Sequence, residues 1–361
     1  MTLDELRERI DKADAHILEL LNERARYAEE IGRIKQSTGK PIYAPEREKL
    51  IFEQLKKNNT GPLDAPAIRA IFREIISATR ALEREVTVAY LGPRDTFSHM
   101  AALRVFGAMA SLHPAATVDD VFTEVERKRV DYGVVPVETS MGGGVSDTLD
   151  RFVVSDLRIL NEIMLHITQN LLSNSELENI VKVYSKAQPF VQCRNWLKAH
   201  LPQAELAETS STAEAARVAA AEPGAAAIAS DLAAETYHLN IIASSIEDAP
   251  HNFTRFFVIG HERTGRHRAK PTGRDKTAIL FSVNDRPGAL YALLQPLARH
   301  GINLTRIESR PSQKRAWEYV FFVDFMGHAG EPHVHDALEE LKAECSELKV
   351  LGSFPEGELE E

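Results

Sequence analysis

Between Leu3 and Gln36 the sequence contains no proline and one glycine, Gly32. Leu6, Ile10, Ala13, Ile17, Leu20, Leu21, Ala28, Ile31 and Ile34 recur at spacings of three and four. That spacing places them on one stripe of an amphipathic helix. At 1.5 Å per residue the helix is roughly 50 Å long. A domain of under about a hundred residues cannot cover so long a stripe by itself, so a partner chain is expected to cover it. Pro41 and Pro45 end the pattern. A second helix is expected over residues 47–57, a turn over 58–62 and a third helix over 65–84.

The cations on these helices have a geometry of their own. Arg24 and Lys35 are about three turns apart and share a face, roughly 16 Å apart along the axis. Arg7 lies roughly 100° round the helix from Arg24 and about 25 Å away. One straight helix cannot bring Arg7 and Arg24 into one pocket, whereas two antiparallel copies can. The alternative is a set of solvated surface charges, the usual state of Arg and Lys on helices.

At 361 residues the chain has room for two or three domains. With 43% hydrophobic and 27% charged residues it reads as an ordinary soluble globular protein. The net charge of −10, with no basic stripe against it, speaks against a nucleic-acid partner. Anionic substrates would need cations gathered locally in clefts. Cys193 and Cys345 form neither a disulfide framework nor a metal site. The first residues lack the apolar core of a signal peptide, and no apolar run is of membrane-spanning length. A reducing cytoplasm is the expected location.

Helical periodicity stops near Arg84, and strands and helices then alternate, an α/β pattern in two lobes. Strands are expected at 88–91, 132–137, 165–172, 182–184 and 225–229. Helices are expected near 98–106, 118–128, 188–199 and 212–221. The segment from His251 to Ile259 reads as a buried strand of aromatic and β-branched residues. Neighbours on a strand face opposite ways, so Thr254 and Arg255 cannot both face one core, and one of them is expected to look into a cleft. A strand with a tolerated Thr and a surface Arg has the same composition. Residues 261–275 are basic and glycine-containing, a linker. A compact βαββαβ module follows, with strands at 277–283, 302–309, 317–325 and 348–351 and helices ending at Gly301 and spanning 333–344. That is a ferredoxin-like α+β arrangement. The acidic tail from Glu356 is expected to be solvated.

Several motifs carry a resemblance. Leu6-Arg7-Glu8-Arg9-Ile10, Glu23-Arg24, Gly32-Arg33-Ile34-Lys35 and Pro45-Glu46-Arg47-Glu48 resemble the all-helical chorismate mutases. The resemblance implies an intertwined helical dimer in which Arg7 enters the partner's site. It implies that Arg24, Lys35 and Arg47 hold the two carboxylates and the ether oxygen of chorismate, and that Glu48 binds its hydroxyl. Thr79 and Glu83 match a Ser/Thr and Gln pair. Ala44 departs from an Asp found in some members, and Glu83 from the commoner Gln. The rearrangement to prephenate needs no nucleophile or metal. Gripped carboxylates and donors aimed at the ether oxygen suffice.

Gly92-Pro93-Arg94-Asp95-Thr96-Phe97-Ser98, Val135-Pro136-Val137-Glu138-Thr139-Ser140 with Gly142-Gly143-Gly144, Val183-Tyr184-Ser185, Ser211-Thr212-Ala213-Glu214-Ala215-Ala216, Ala227-Ile228-Ala229-Ser230 and Thr254-Arg255-Phe256 resemble the prephenate dehydratases, in order. The implied fold is two lobes like those of periplasmic binding proteins, with the site in the cleft. The implied reaction is loss of CO2 and hydroxide from prephenate to give phenylpyruvate, with Thr254 as donor to the leaving hydroxyl. Glu138, Thr139, Ser140, Ser185, Arg255 and Phe256 are candidates for placing the substrate. Asp95 replaces a usual Gly and is expected to face solvent; Thr139 replaces a usual Asn. The glycine run lacks the Gly-Lys-Ser/Thr of a phosphate loop.

Gly288-Ala289-Leu290 and Glu308-Ser309-Arg310-Pro311 resemble the effector motifs of phenylalanine-binding ACT domains. Phenylalanine is expected near Asn303 and Leu304, between the first motif of one chain and the second of a neighbour. The sequence as a whole is similar to the bifunctional chorismate mutase–prephenate dehydratases. The expected domains are 1–85, 86–260 and 276–361. The expected partners are chorismate, prephenate, L-phenylalanine and a second copy, with no cofactor, metal, nucleic acid or membrane. The competing reading is a non-catalytic amino-acid sensor built from a two-lobed binding domain and an ACT module.

Overall fold

Thr2 opens the first helix with a reciprocal cap: its hydroxyl accepts from Glu5 N at 3.2 Å, and Glu5 Oε2 accepts from Thr2 N at 2.8 Å. The computed structural model describes residues 1–249, 251–262, 269–283, 287–311 and 319–358. Helix α1 (Leu3–Thr38) ends where Gly39 turns left-handed at φ 67°. A proline in the first turn starts α2 (Pro45–Asn58). Asp64 caps α3 (Ala65–Glu83) by accepting from Ala67 N at 2.8 Å. These helices, with residues Leu103–Ser111, form one compact unit.

In α1, Ala28 and Gly32 are the buried residues among those described. Leu6, Ile10, Ile17, Leu20, Ile31 and Ile34 are exposed. The helix touches α3 at Gly32, where an added Cβ would lie 2.9 Å from Glu83 Cα. Only a residue without a side chain permits that approach, and it sets Lys35 one turn further on beside Glu83.

The second unit holds Val88–Ala102, Leu112–Glu262 and the chain from Lys270. Its first sheet has the order β2 (Ser111–Ala115), β1 (Thr87–Leu91), β3 (Tyr132–Thr139), β11 (Phe253–Gly260), β5 (Arg158–His166), with the short β4 (Gly143–Gly144) on β3. Its second has the order β10 (Asn240–Ala243), β6 (Asn170–Ser173), β9 (Ala225–Ala229), β7 (Lys182–Ser185), β8 (Glu205–Glu208). Helices α4 (Phe97–Phe106), α5 (Val118–Glu126) and α6 (Ser146–Val154) follow strands of the first sheet. Helices α7 (Ala187–Gln192), α8 (Arg194–His200), α9 (Thr212–Ala221) and α10 (Asp231–Tyr237) accompany the second.

Two elements divide where the sequence suggested one. The strand expected over 165–172 is β5 and β6, because the chain crosses from one sheet to the other at Gln169 and Asn170. Both are buried and tied down, Gln169 N by Glu247 Oε2 at 2.9 Å and Asn170 Oδ1 by Ser245 N at 3.2 Å. The helix expected over 188–199 breaks at Cys193 (φ −109°). There the Asp248 carboxylate accepts from Asn195 N at 3.0 Å and Trp196 N at 3.3 Å, restarting the helix as α8.

The C-terminal elements are β12 (Asp275–Ser282), α11 (Ala289–Arg299), β13 (Leu304–Pro311), β14 (Tyr319–Met326), α12 (Pro332–Glu344) and β15 (Glu347–Pro355). They follow the expected βαββαβ order, and the antiparallel sheet runs β13-β14-β12-β15. Residues 263–268 of the expected linker, Asp285 and Arg286 before α11 and the turn at 312–315 lie outside the described residues.

The module is not a separate body. One sheet face, with Val323 and Phe325, packs on Leu293 and Leu297 of α11 and on Leu338 and Leu341 of α12. The other, with Leu280, Phe322, Leu351 and Phe354, shares a core with Phe257, Ile159 and Phe152 of the first sheet and α6. A Cβ at Gly352 would lie 2.2 Å from the Ile159 carbonyl oxygen. The tail expected to be solvated joins this interface: Gly357 N donates to Glu162 Oε1 at 2.8 Å, and Glu356 accepts from Arg274 at 3.0 Å.

Candidate active sites

In the helical unit four candidates meet across α1 and α3. The Arg24 guanidinium donates to Thr79 Oγ1, and the Thr79 hydroxyl donates to Ile75 O at 2.8 Å. Lys35 Nζ donates to Glu83 Oε2 at 2.7 Å and to Ile42 O at 3.1 Å. Burial lowers the Arg24 pKa from its ordinary value, with Glu83 opposing; a guanidinium remains protonated even so. Two cations with matched acceptors thus stand between α1 and α3. An anionic ligand would take over donors that now serve Thr79 and Glu83.

Glu48 sits on α2 against Arg80, a residue that the sequence reading did not single out. Arg80 is buried, its guanidinium 5.2 Å from the Tyr43 ring and 5.9 Å from the Phe106 ring. Burial raises the Glu48 pKa above the usual carboxylate range, against the pull of Arg80. Arg47 is exposed on the first turn of α2. Arg7 is exposed and reaches Asp4 at 3.5 Å.

The dehydratase candidates divide by sheet face. Thr254 pairs across strands with Thr139, and Arg255 with Glu138. Side chains alternate, so the two threonines share one face and the charged pair the other. Thr254 is half-buried. The Thr139 hydroxyl accepts from Gly142 N at 2.9 Å, closing the turn into β4. Ser140 ties the two strand ends, donating to His251 O at 3.1 Å and accepting from Phe253 N at 3.0 Å. Phe256 is buried in the sheet. Ser185 is fully buried, its hydroxyl donating to Ile228 O at 2.9 Å.

Asp95 was expected at the surface and is instead buried. Its φ of 65° is the left-handed conformation that favours glycine and that Asp tolerates better than most. Its carboxylate lies 3.6 Å from His99 Nδ1, and its carbonyl accepts from Ser230 Oγ at 3.3 Å. Burial lowers the His99 pKa, against Asp95.

Arg255 faces the effector module. Its Nε donates to Glu162 Oε2 at 2.7 Å, its Nη1 to Asp324 of β14, and Glu138 lies 3.7 Å away. Lys276 of β12 donates to Glu162 Oε1 at 2.8 Å. Burial by itself would raise the Glu162 pKa; Arg255, Lys276 and the Gly357 N–H reverse this and hold it below the ordinary value. Burial disfavours charge on Arg255, and Asp324 and Glu162 overcome it, raising its pKa. Sequence reasoning missed Glu162 and Asp324. Each is a lone acid inside an apolar strand, which was the available signal.

In the effector module Gly288 opens α11 at φ 81°, and Ala289 is buried while Leu290 packs on the helix-side core. Asn303 and Ser309 are exposed, and the Asn303 carbonyl accepts from Met326 N at 2.9 Å. Leu304 begins β13. Arg310 forks onto Asp150 at 3.0 Å and Ser146 at 2.7 Å, both on α6. A Cβ at Gly144 would lie 2.1 Å from Glu308 Oε2.

Three family patterns match this chain: chorismate mutase type II over residues 6–84, prephenate dehydratase over 88–264 and the ACT domain over 277–343. A bifunctional chorismate mutase/prephenate dehydratase from Aquifex aeolicus is 52% identical over 99% of both chains. The chain belongs to the bifunctional chorismate mutase/prephenate dehydratase family. Another member, from Pseudomonas aeruginosa, is 45% identical over 99% of this chain and 98% of its own. Among solved structures, a prephenate dehydratase from Arthrobacter aurescens in complex with L-Phe superimposes with a TM-score of 0.69. It is 36% identical and covers 75% of this chain and 90% of that one. Among the described residues no helix is long and apolar enough to cross a membrane.

Proposed function

We propose that the chain converts chorismate to prephenate on its helical unit and prephenate to phenylpyruvate on the unit that follows, under feedback by L-phenylalanine, in the cytoplasm. The observation that carries the reading is full-length identity to bifunctional enzymes, joined to two pre-organised sets of polar groups. In the first, Arg24 and Lys35, with Arg47 and a partner chain's copy of Arg7, grip the two carboxylates so that the enolpyruvyl arm folds over the ring. Lys35 and Glu83 face the ether oxygen, Thr79 steadies Arg24, and Glu48 takes the ring hydroxyl. The exposed apolar stripe of α1 supports a second copy as its cover, since a helix apolar on one face needs a partner.

In the second, Thr254 donates to the leaving hydroxyl and Thr139 faces it across the strands. Ser140, Ser185 and Phe256 shape the strand ends and the cleft between two lobes of periplasmic-binding-protein type. A threonine is a weak acid, so hydrogen bonding and placement outweigh full proton transfer. Aromatisation drives the reaction without a cofactor. Domain limits at 85/86 and near 275 suit this division of labour. Phenylalanine binds around Gly288, Ala289, Leu290, Asn303 and Leu304 of one chain and the Glu308–Pro311 motif of a neighbour.

Purified protein mixed with chorismate alone should release phenylpyruvate, and added L-phenylalanine should slow that release. Unchanged chorismate would refute the mutase assignment. Accumulated prephenate would refute the dehydratase assignment.

A further inference from the structure

Strand β13 presents the second effector motif on two faces. Arg306, Glu308 and Arg310 pair across the ladder with Asp324, Phe322 and Val320. Phe322 and Val320 belong to the core shared with the first sheet, and Asp324 binds Arg255. Ile307 and Ser309 pair with Val323 and Phe321, residues of the helix-side core that also receives Leu290. Glu308 and Arg310 therefore lie across the sheet from the first effector motif of their own chain.

What they touch is the catalytic scaffold. Arg310 forks onto Asp150 and Ser146 at the start of α6. Glu308 packs on Gly144, just past the turn that the Thr139 hydroxyl closes. Arg306, nearly buried, binds Glu308 and lies 3.5 Å from Glu138. Glu138 in turn reaches Arg255. The immediate neighbours of Glu138 and Arg255 are Thr139 and Thr254, directly opposite each other. One guanidinium, that of Arg306, is thus shared by a carboxylate of the effector motif and a carboxylate beside the dehydratase threonines.

We propose that Arg306, Glu308 and Arg310 are positioning residues for the Thr139–Thr254 pair rather than ligands of the effector. Occupancy on the helix side of β13 shifts the strand, and its opposite face passes the shift to the glycine turn and the ends of β3 and β11. The inference rests on the reading of the chain as a phenylalanine-regulated dehydratase. It assigns the charged residues of the motif to coupling and leaves effector contact to Ser309 and the α11 motif. Because Arg306 sits between two acids, a small displacement of β13 redistributes its contact between Glu308 and Glu138 without breaking the sheet.

The test uses full-length Arg306→Met, Arg306→Lys and Gly144→Ala. Phenylalanine binding is measured by calorimetry, prephenate turnover with and without phenylalanine, and mutase activity as a check on folding. Arg306→Met should bind phenylalanine within about 3-fold of the parent while its inhibition weakens by about 5-fold or more. Its dehydratase kcat should fall by about 10- to 100-fold, the scale of an ångström-level misplacement. Arg306→Lys keeps the charge and should recover part of both. Gly144→Ala displaces Glu308 from the catalytic side, with no substitution in the effector module itself, and should also uncouple inhibition from binding. A merely structural role would lower the melting temperature and leave kcat and the inhibition curve unmoved, which would overturn the proposal. Loss of phenylalanine binding by more than about 30-fold in a folded variant would make the row effector ligands, and overturn it equally. Should Arg306→Met not fold, the other two variants decide. A parent chain that neither binds phenylalanine nor turns over prephenate would instead refute the underlying reading.

Discussion

Replacing Glu162 by Gln tests whether the ion cluster between the first sheet and the effector module holds the second unit together. The Glu162 side chain is 0% exposed and serves two cations, Arg255 at 2.6 Å and Lys276 at 2.8 Å. Removing one member of a buried pair costs about 3–5 kcal/mol. Asp324 and Glu138 remain on Arg255, and Glu356 stays 3.9 Å from Lys276, so the lower end, about 3 kcal/mol, applies. At about 2–4 °C per kcal/mol for a domain of this size, the midpoint should fall by about 6–12 °C.

The pH dependence has a fixed sign. Glu162 has a lowered pKa in the folded chain, so its stabilisation is present above the unfolded carboxylate value of about 4.3. That stabilisation is lost as pH falls through the folded value. Calorimetric scans of parent and Glu162→Gln should show the full gap near neutrality and a shrinking gap in acid. An unchanged midpoint at neutral pH would refute the reasoning. A gap of the same size at every pH would refute the electrostatic origin.

Other perturbations separate the parts of the molecule. Thr254→Ala should abolish prephenate turnover and spare chorismate consumption; Arg24→Ala should do the reverse, losing about 2–5 kcal/mol of substrate interaction. Assays on both substrates check this, and loss of both activities in either folded variant would contradict independent sites. Gly32→Ala should push α1 off α3, costing about 1–3 kcal/mol of stability and lowering mutase kcat/KM, read by denaturant titration and a chorismate assay. Deleting the chain from Lys276 onward should give aggregated protein rather than an uninhibited dehydratase, because it bares Phe257 and Ile159 and strips Glu162 and Arg255 of partners. Gel filtration of the truncated chain checks this, and a monodisperse, active product would contradict it.

Periodicity located the helices of the first unit, since Leu6 to Ile34 repeat without interruption; Pro45, which ends the first pattern in the sequence, is the first residue of α2 and starts it two residues before position 47. The opposition of Thr254 and Arg255 was equally legible, because strand alternation is local. The destination of Arg255 was not. Its partners Glu162 and Asp324 lie in strands that meet only once two sheets are stacked, and no local pattern encodes which faces meet. Ser185 reads as a candidate in its motif, yet its hydroxyl is spent on Ile228 O. The burial of Asp95 was not legible: a place at a usual glycine bears on the backbone angle, which is left-handed here, and not on what surrounds the side chain. Arg80 was hidden because its role depends on Tyr43 and Phe106, distant in sequence.

The contact between Gly357 and Glu162 spans 195 residues, and this has a consequence for synthesis. On a ribosome adding about 5–20 residues per second, β5 waits about 10–40 s for the strand that covers it. During that interval the apolar face carrying Ile159 is open to other chains, and the Glu162 carboxylate lacks a cation until Arg255, 93 residues on, is made. Residues 347–357 therefore act as the closing step for β5, and a nascent chain stalled before β15 is the form most exposed to chaperones and proteases.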